Sequence, residues 1–200
     1  MENYVKAYAF DFIHDTQKVF REMLSALANP GTIGSITDEV KKFDRKEGAL
    51  AILGCVVLDN EKSMYVEKNP RLEEIIHDLT LCREESLENA DYIFLSSEMN
   101  YASIEEIFKN VKWGTYADPQ ESATIFIFCN SMEGTEPVVL SGPGVDGVKM
   151  IKTNSYIKNI LEIRQKLKIE YPLGIDLFLL TEDGKIMGIP RLCKMDEKEA

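Results

Sequence analysis

The chain has 200 residues, a formal net charge of -11 and a pI near 4.8, with 44% hydrophobic and 28% charged residues. That balance suits a folded, water-facing protein and excludes a disordered one; the length fits one domain, residues 1–200. The acidic excess argues against nucleic acid and anionic membrane surfaces as partners.

Met1 to Phe10 carry Glu2 and Lys6 and lack the apolar stretch of a secretory signal. No run approaches the roughly 18 apolar residues of a membrane span. The expectation is a cytoplasmic protein.

From Thr16 to Ala28, Phe20, Met23, Leu24 and Leu27 recur at helical spacing on one face, with Asp15 or Thr16 as a cap and Asn29-Pro30-Gly31 as the stop. Ala49 to Leu58 is apolar on nearly every side and reads as a buried helix, with a buried strand as the alternative. Ser63 to Val66 suits a strand. Leu72 to Leu81 predicts a helix with Leu72, Ile75, Ile76 and Leu79 as its stripe. Asp91 to Ser96 predicts a strand. Ser103-Ile104-Glu105-Glu106 has the form of a capping box opening a short helix to about Asn110.

Ala123 to Cys129 is a run of strand formers without alternation, so both faces of its sheet should be covered. Pro137 to Leu140 predicts a further strand, and Tyr156 to Lys168 a helix resting on Ile157, Ile160, Leu161 and Leu167. Ile175 to Leu180 and Lys185 to Ile189 flank Glu182-Asp183-Gly184 as a hairpin. The tail from Asp196 is charged and expected to fray. Alternating helices and strands predict an α/β fold, with a mixed central sheet covered by helices.

Motifs that carry chemistry are few. Ser141-Gly142-Pro143-Gly144 follows a strand, and its backbone amides can cradle an anion. It lacks the Lys and Ser/Thr of a phosphate loop, so a plain turn is the simpler reading. Gly114-Thr115 and Asp118 to Glu121 join a flexible glycine to hydroxyl and carboxyl groups, without a partner that would make an acid–base pair. Arg21 and Arg191 suit a phosphate or carboxylate fork, or an internal ion pair or subunit contact, which is favoured. Trp113 and the other aromatics read as core or interface.

Cys55, Cys82, Cys129 and Cys193 form no CxxC pair and read as free thiols in a reduced compartment. His14 and His77 are isolated, which argues against a metal site. No Lys/Arg cluster announces a basic pocket. These residues alone do not state a reaction.

Taken in order, four segments resemble the PhnH family of phosphonate-metabolism proteins. Phe20 to Gly31 (FREMLSALANPG) is similar to the family's F-R-x-x-L-x-A-M-x-x-P-G. Gly114-Thr115 with Pro119 to Thr124 is similar to G-T…P-E-x-G/S-A-T. Leu140 to Val145 is similar to L-[ST]-G-x-G-I. Tyr171 to Leu177 with Ile189-Pro190-Arg191 is similar to F-P-x-G-[IV]-D-L and [IL]-P-R. Leu27 stands for the usual Met, Gln120 extends the P-E step, and Tyr171 replaces Phe. Lys41 to Glu47 shows no match.

The resemblance implies a fold like a reduced large domain of pyridoxal-phosphate-dependent transferases, without that cofactor. Asp176 is placed to imitate the acid facing a pyridine nitrogen, but Lys185, Lys194 and Lys198 lie in a hairpin turn and a tail rather than where a Schiff base would form. It also implies a homodimer when isolated and membership, with the G, I and J subunits, of a carbon–phosphorus lyase core. That core joins a phosphonate to ATP with loss of adenine. The family supplies no catalytic residue. Arg21, Gly114, Thr115, Ser141, Gly142, Gly144 and Arg191 are therefore candidate interface or anion-binding positions, and no catalytic, cofactor or metal residue is assigned. Two other readings stand beside this one: a nucleotide- or phosphonate-binding domain using Ser141 to Gly144, and a stand-alone pyridoxal-phosphate enzyme.

Overall fold

The computed structural model describes residues 9–43 and 47–196. The readings for residues 1–8, for part of Lys41 to Glu47 and for the tail beyond Asp196 lie outside the described residues. Along the chain run α1 (His14–Ala28), β1 (Gly34–Ser35), α2 (Thr37–Phe43), α3 (Gly48–Val57), β2 (Ser63–Glu67), α4 (Pro70–Thr80), β3 (Arg83–Glu84), β4 (Tyr92–Leu95) and α5 (Tyr101–Asn110). A short 3-10 turn at Pro119–Glu121 leads to β5 (Thr124–Phe128), β6 (Glu136–Ser141), β7 (Val148–Thr153), α6 (Ser155–Lys166), β8 (Asp176–Leu180), β9 (Lys185–Ile189) and β10 (Lys194–Met195).

The expected mixed central sheet is present, with strand order β1-β9-β8-β5-β4-β2-β3. Strands β3, β2, β4, β5 and β8 run parallel, and at one edge β9 pairs antiparallel with both β8 and β1. Strand periodicity divides the side chains between two apolar layers. Ile93, Leu95, Ile125, Ile127, Leu177 and Leu179 face α5, α6 and the small sheet. Met64, Val66, Phe94, Phe126, Phe178 and Leu180 face α1 to α4. Helices therefore cover both faces, as the unbroken apolar run of β5 requires.

One row across the sheet shows how the layers fit. Val66, Phe94, Phe126, Phe178 and Gly188 are in register on neighbouring strands. The three rings stack at 4.9 and 5.4 Å between centroids. At Gly188 a Cβ would lie 2.6 Å from the Ala26 carbonyl carbon, so the backbone of α1 takes the place of a side chain and rests directly on β9.

Several expectations need correction. Asp15 and Thr16 do not cap α1; both lie inside it, and Asp11 Oδ1 accepts the Ile13 and His14 amides instead. Asp15 is buried, with Lys42 of α2 at 2.7 Å and Lys18 at 3.0 Å. Ser103 does not open α5, because Asn100 caps it by accepting the Ser103 amide. The strand at Glu136–Ser141 does not join the central sheet. It pairs with β7 and β10 in a separate three-stranded sheet, and β7 (Val148–Thr153) was not anticipated. The apolar stripe of α1 also divides. Val19, Met23 and Ala26 are buried, whereas Phe20 and Leu24 are 46% and 51% exposed.

Candidate functional site

The parallel sheet has an opening at each end. At the carboxyl end the strand order reverses between β2 and β4, since β2 continues outward to β3 while β4 lies on its other side. Such a reversal leaves a crevice. Here it is a cavity of about 330 Å³ lined by the start of α3, Lys68 and Asn69 after β2, and Ser96 and Ser97 after β4. Asn69 Oδ1 accepts the Leu72 amide and its Nδ2 donates to Ser96 Oγ, so this side chain both caps α4 and joins the two loops. Lys68 adopts a left-handed backbone, φ 51°, and pairs with Glu67 at 3.0 Å. Glu47 Oε2 is buried at the rim without a hydrogen-bond partner.

At the amino end the motif residues meet. Arg191 bonds Asp176 from Nε (3.2 Å) and Nη2 (2.6 Å), and its Nη1 donates to the Pro119 carbonyl. Three motifs distant in sequence, the I-P-R step, the G-I-D-L segment and the P-Q-E-S-A-T segment, are joined by one guanidinium. Gly114 belongs to the same knot, since its φ of 79° turns the chain where a Cβ would meet the Pro119 carbonyl oxygen at 2.7 Å. Thr115 Oγ1 accepts the Asp118 amide and closes that loop. Asp176 thus holds an arginine.

Beside this knot lies a cavity of about 430 Å³ lined by Lys62, Asp91, Tyr92, Lys112, Gln120, Glu121, Ser122, Thr124 and Arg191. Lys112 reaches Asp91 at 2.5 Å, and Ser63 donates to the same carboxylate from its amide and hydroxyl. Burial disfavours the ionised form of Asp91, but Lys112 and Ser63 outweigh it and leave the carboxyl below its ordinary range. Ser122 is 92% buried and its Oγ has no hydrogen-bond partner.

The glycine turn after β6 is packed against its own chain. Gly142 has φ 116°, and a Cβ there would lie 2.7 Å from the Leu192 carbonyl oxygen; at Gly144, φ 84°, it would lie 2.7 Å from that of Ala28. This turn seats the end of α1 against the segment before β10, and Ser141 pairs with Lys194 in that small sheet. Arg21 stands apart on exposed α1 and donates to Gln17 at 3.3 Å. The structure therefore brings Gly114, Thr115 and Arg191 together, places Ser141, Gly142 and Gly144 at a second junction, and leaves Arg21 on the surface.

Sequence reading missed two sets of residues. Lys62 and Lys112 form no cluster in sequence and meet the expected Arg191 only because β2, β5 and the end of β9 share one sheet end. Arg164 is the second case. It donates to the carbonyls of Ile189 (3.2 Å), Pro190 (3.2 Å) and Cys193 (2.5 Å), tying α6 to the turn after β9. Burial lowers its guanidinium to about 10, still charged at neutral pH. Position 164 on a helical pattern gave no signal beyond an ordinary solvated arginine. The four thiols are free, and burial pushes Cys55 and Cys129 up to about 12, which makes them poor nucleophiles.

The architecture defines a three-layer α/β protein whose motifs act as joints between distant segments. Residues 8–196 match the family model described as bacterial phosphonate metabolism protein (PhnH), and the chain belongs to that family. It is 23% identical over 203 residues, covering 98% of this chain and 96% of the other, to "Alpha-D-ribose 1-methylphosphonate 5-triphosphate synthase subunit PhnH" of Rhizobium meliloti (strain 1021). It is 20% identical over 184 residues, covering 92% and 87%, to HtxG of Stutzerimonas stutzeri, provisionally named a C-P lyase subunit protein. Among the described residues no helix is long and apolar enough to cross a membrane.

Proposed function

We propose that the chain serves phosphonate metabolism as a subunit of a carbon–phosphorus lyase assembly, in the step that makes ribose 1-methylphosphonate 5-triphosphate. Family membership and the names of both relatives support this reading. In it the protein is one domain of the cytoplasm with a fold like a reduced pyridoxal-phosphate transferase domain. It dimerises when isolated and joins the G, I and J subunits of the core. Its motif residues hold the fold in the shape those partners meet.

The observation that carries the reading is the second apolar face of α1. The helix already buries Val19, Met23 and Ala26 against the sheet. Roughly a third of a turn around, Ile13, Phe20 and Leu24 are 76%, 46% and 51% exposed. A helix apolar on two sides has one side reserved for another protein. The small sheet adds Val148 and Met150, 58% and 56% exposed, on strand β7 at its edge.

The test is co-expression with the G, I and J subunits followed by size-exclusion chromatography. Elution with them is expected. Elution of this chain alone, with the other subunits assembled without it, contradicts the reading.

A further inference from the structure

The cavity at the amino end of the sheet has the makings of a ligand site that the subunit reading does not use. In a chain of net charge -11, three cations converge there. Two are held by carboxylates that are themselves fully engaged. Asp91 takes Lys112 and both donors of Ser63, and Asp176 takes the Nε and Nη2 of Arg191. These pairs fix the ammonium and guanidinium groups in place without exhausting their donors, since Lys has three N–H groups and Arg five. Lys62 is exposed and makes no side-chain hydrogen bond or ion pair among the described residues.

Ser122 supplies the independent sign. Its hydroxyl is removed from water, yet donates to nothing and accepts from nothing. Leaving such a group unpaired is costly, and native proteins complete the bond with a water, an ion or a ligand. Glu121 is exposed on the same lining and forms no ion pair among the described residues. Beside three cations, a carboxylate of this kind repels a fully deprotonated anion but accepts a hydrogen bond from one that keeps a proton.

We propose that this cavity binds a singly protonated tetrahedral oxyanion, the head group shared by inorganic phosphate and the phosphonates. Lys62 balances its charge, the free N–H groups of Lys112 and Arg191 and the Ser122 Oγ donate to its oxygens, and Glu121 accepts a hydrogen bond from the proton it keeps. Sulfate has the same shape but no proton at neutral pH, so the site discriminates against it.

The test titrates the full chain at low salt with inorganic phosphate, methylphosphonate and sulfate, each followed by the amide NMR shifts of Ser122 and Thr124 and by calorimetry. Saturable one-to-one binding of phosphate or methylphosphonate is expected, with sulfate at least about tenfold weaker. Tighter binding of methylphosphonate assigns the site to phosphonates, and the reverse to free phosphate. Lys62→Ala, at an exposed position, and Ser122→Ala each weaken binding by about tenfold, the first with an unchanged melting temperature and the second with one that is equal or higher, since it removes an unpaired buried hydroxyl. Absence of saturable shifts up to roughly 20 mM, equal binding of sulfate, or affinity indifferent to both substitutions would overturn the proposal. The co-expression test of subunit membership is independent of these outcomes.

Discussion

The two ends of one parallel sheet are built differently. The carboxyl end has the crevice that sheet topology dictates, lined by hydroxyls, an amide and the start of an apolar helix, with Lys68 as its one cation among the described residues, beside Glu47 and Glu182. The amino end has no topological reason to hold a site, yet it gathers the distant motifs around Arg191 and concentrates three cations. The difference separates what a fold supplies by default from what particular side chains add. Reversal of strand order gives space. Specific chemistry needs several charged groups locked by partners, and the cluster of three cations lies at the other end.

The largest expected effect breaks the amino-end joint. Arg191→Ala leaves the mostly buried Asp176 carboxylate without its cation and the Pro119 carbonyl without its donor, and should lower unfolding free energy by about 3 kcal/mol in urea titration. A loss below about 0.5 kcal/mol would show that the motifs are not joined through this residue. Gly144→Ala, at the second junction, should cost about 2 kcal/mol, because an L side chain is strained at φ 84° and meets the Ala28 carbonyl.

Asp15→Asn should cost about 1 to 2 kcal/mol and change the acid limb. The hydrogen bond from Lys42, with help from the Asp11 amide and Lys18, holds this carboxyl well below the usual carboxylate range. A depressed carboxyl adds stability that is complete above its unfolded value near 4 and is lost as pH falls through its folded value. The native chain should therefore lose stability more steeply below pH 4 than the Asn variant, as followed by thermal melts across pH. At the carboxyl end, Lys68→Gly should move stability by less than about 1 kcal/mol, since glycine relieves a left-handed backbone while loosening the unfolded chain. A larger loss there would erase the contrast between the two ends.

Much of this fold was legible where pattern alone decides. The apolar run of β5, the β8–β9 hairpin and the stripe of α4 follow from periodicity and turn residues. The small sheet was not, because the Val148–Thr153 sequence VKMIKT does not alternate cleanly between apolar and polar residues and pairs only with β6, which pattern marked as a strand without giving it a sheet. Asp15 looked like a cap because acids favour helix starts; its burial depends on Lys42, 27 residues away. The candidate site fared similarly. Motif order placed Gly114, Thr115 and Arg191 on one list of positions, but the pairing of Arg191 with Asp176 needed the strands side by side. Ser122 lay inside a motif without being marked as a site residue, and Lys62 and Lys112 carry no local signal at all. Phe20 and Leu24 were visible as apolar positions, while their exposure followed only once α1 was seen to rest on Gly188.

That second face of α1 is the central claim, and charge placed on it tests it most directly. The double variant Phe20→Glu, Leu24→Glu, both at exposed positions, should change the urea midpoint very little, with stability within about 0.5 kcal/mol of the native chain. Co-expressed with the G, I and J subunits, it should elute apart from them while the native chain elutes with them. Undiminished co-elution of the double variant would contradict the account.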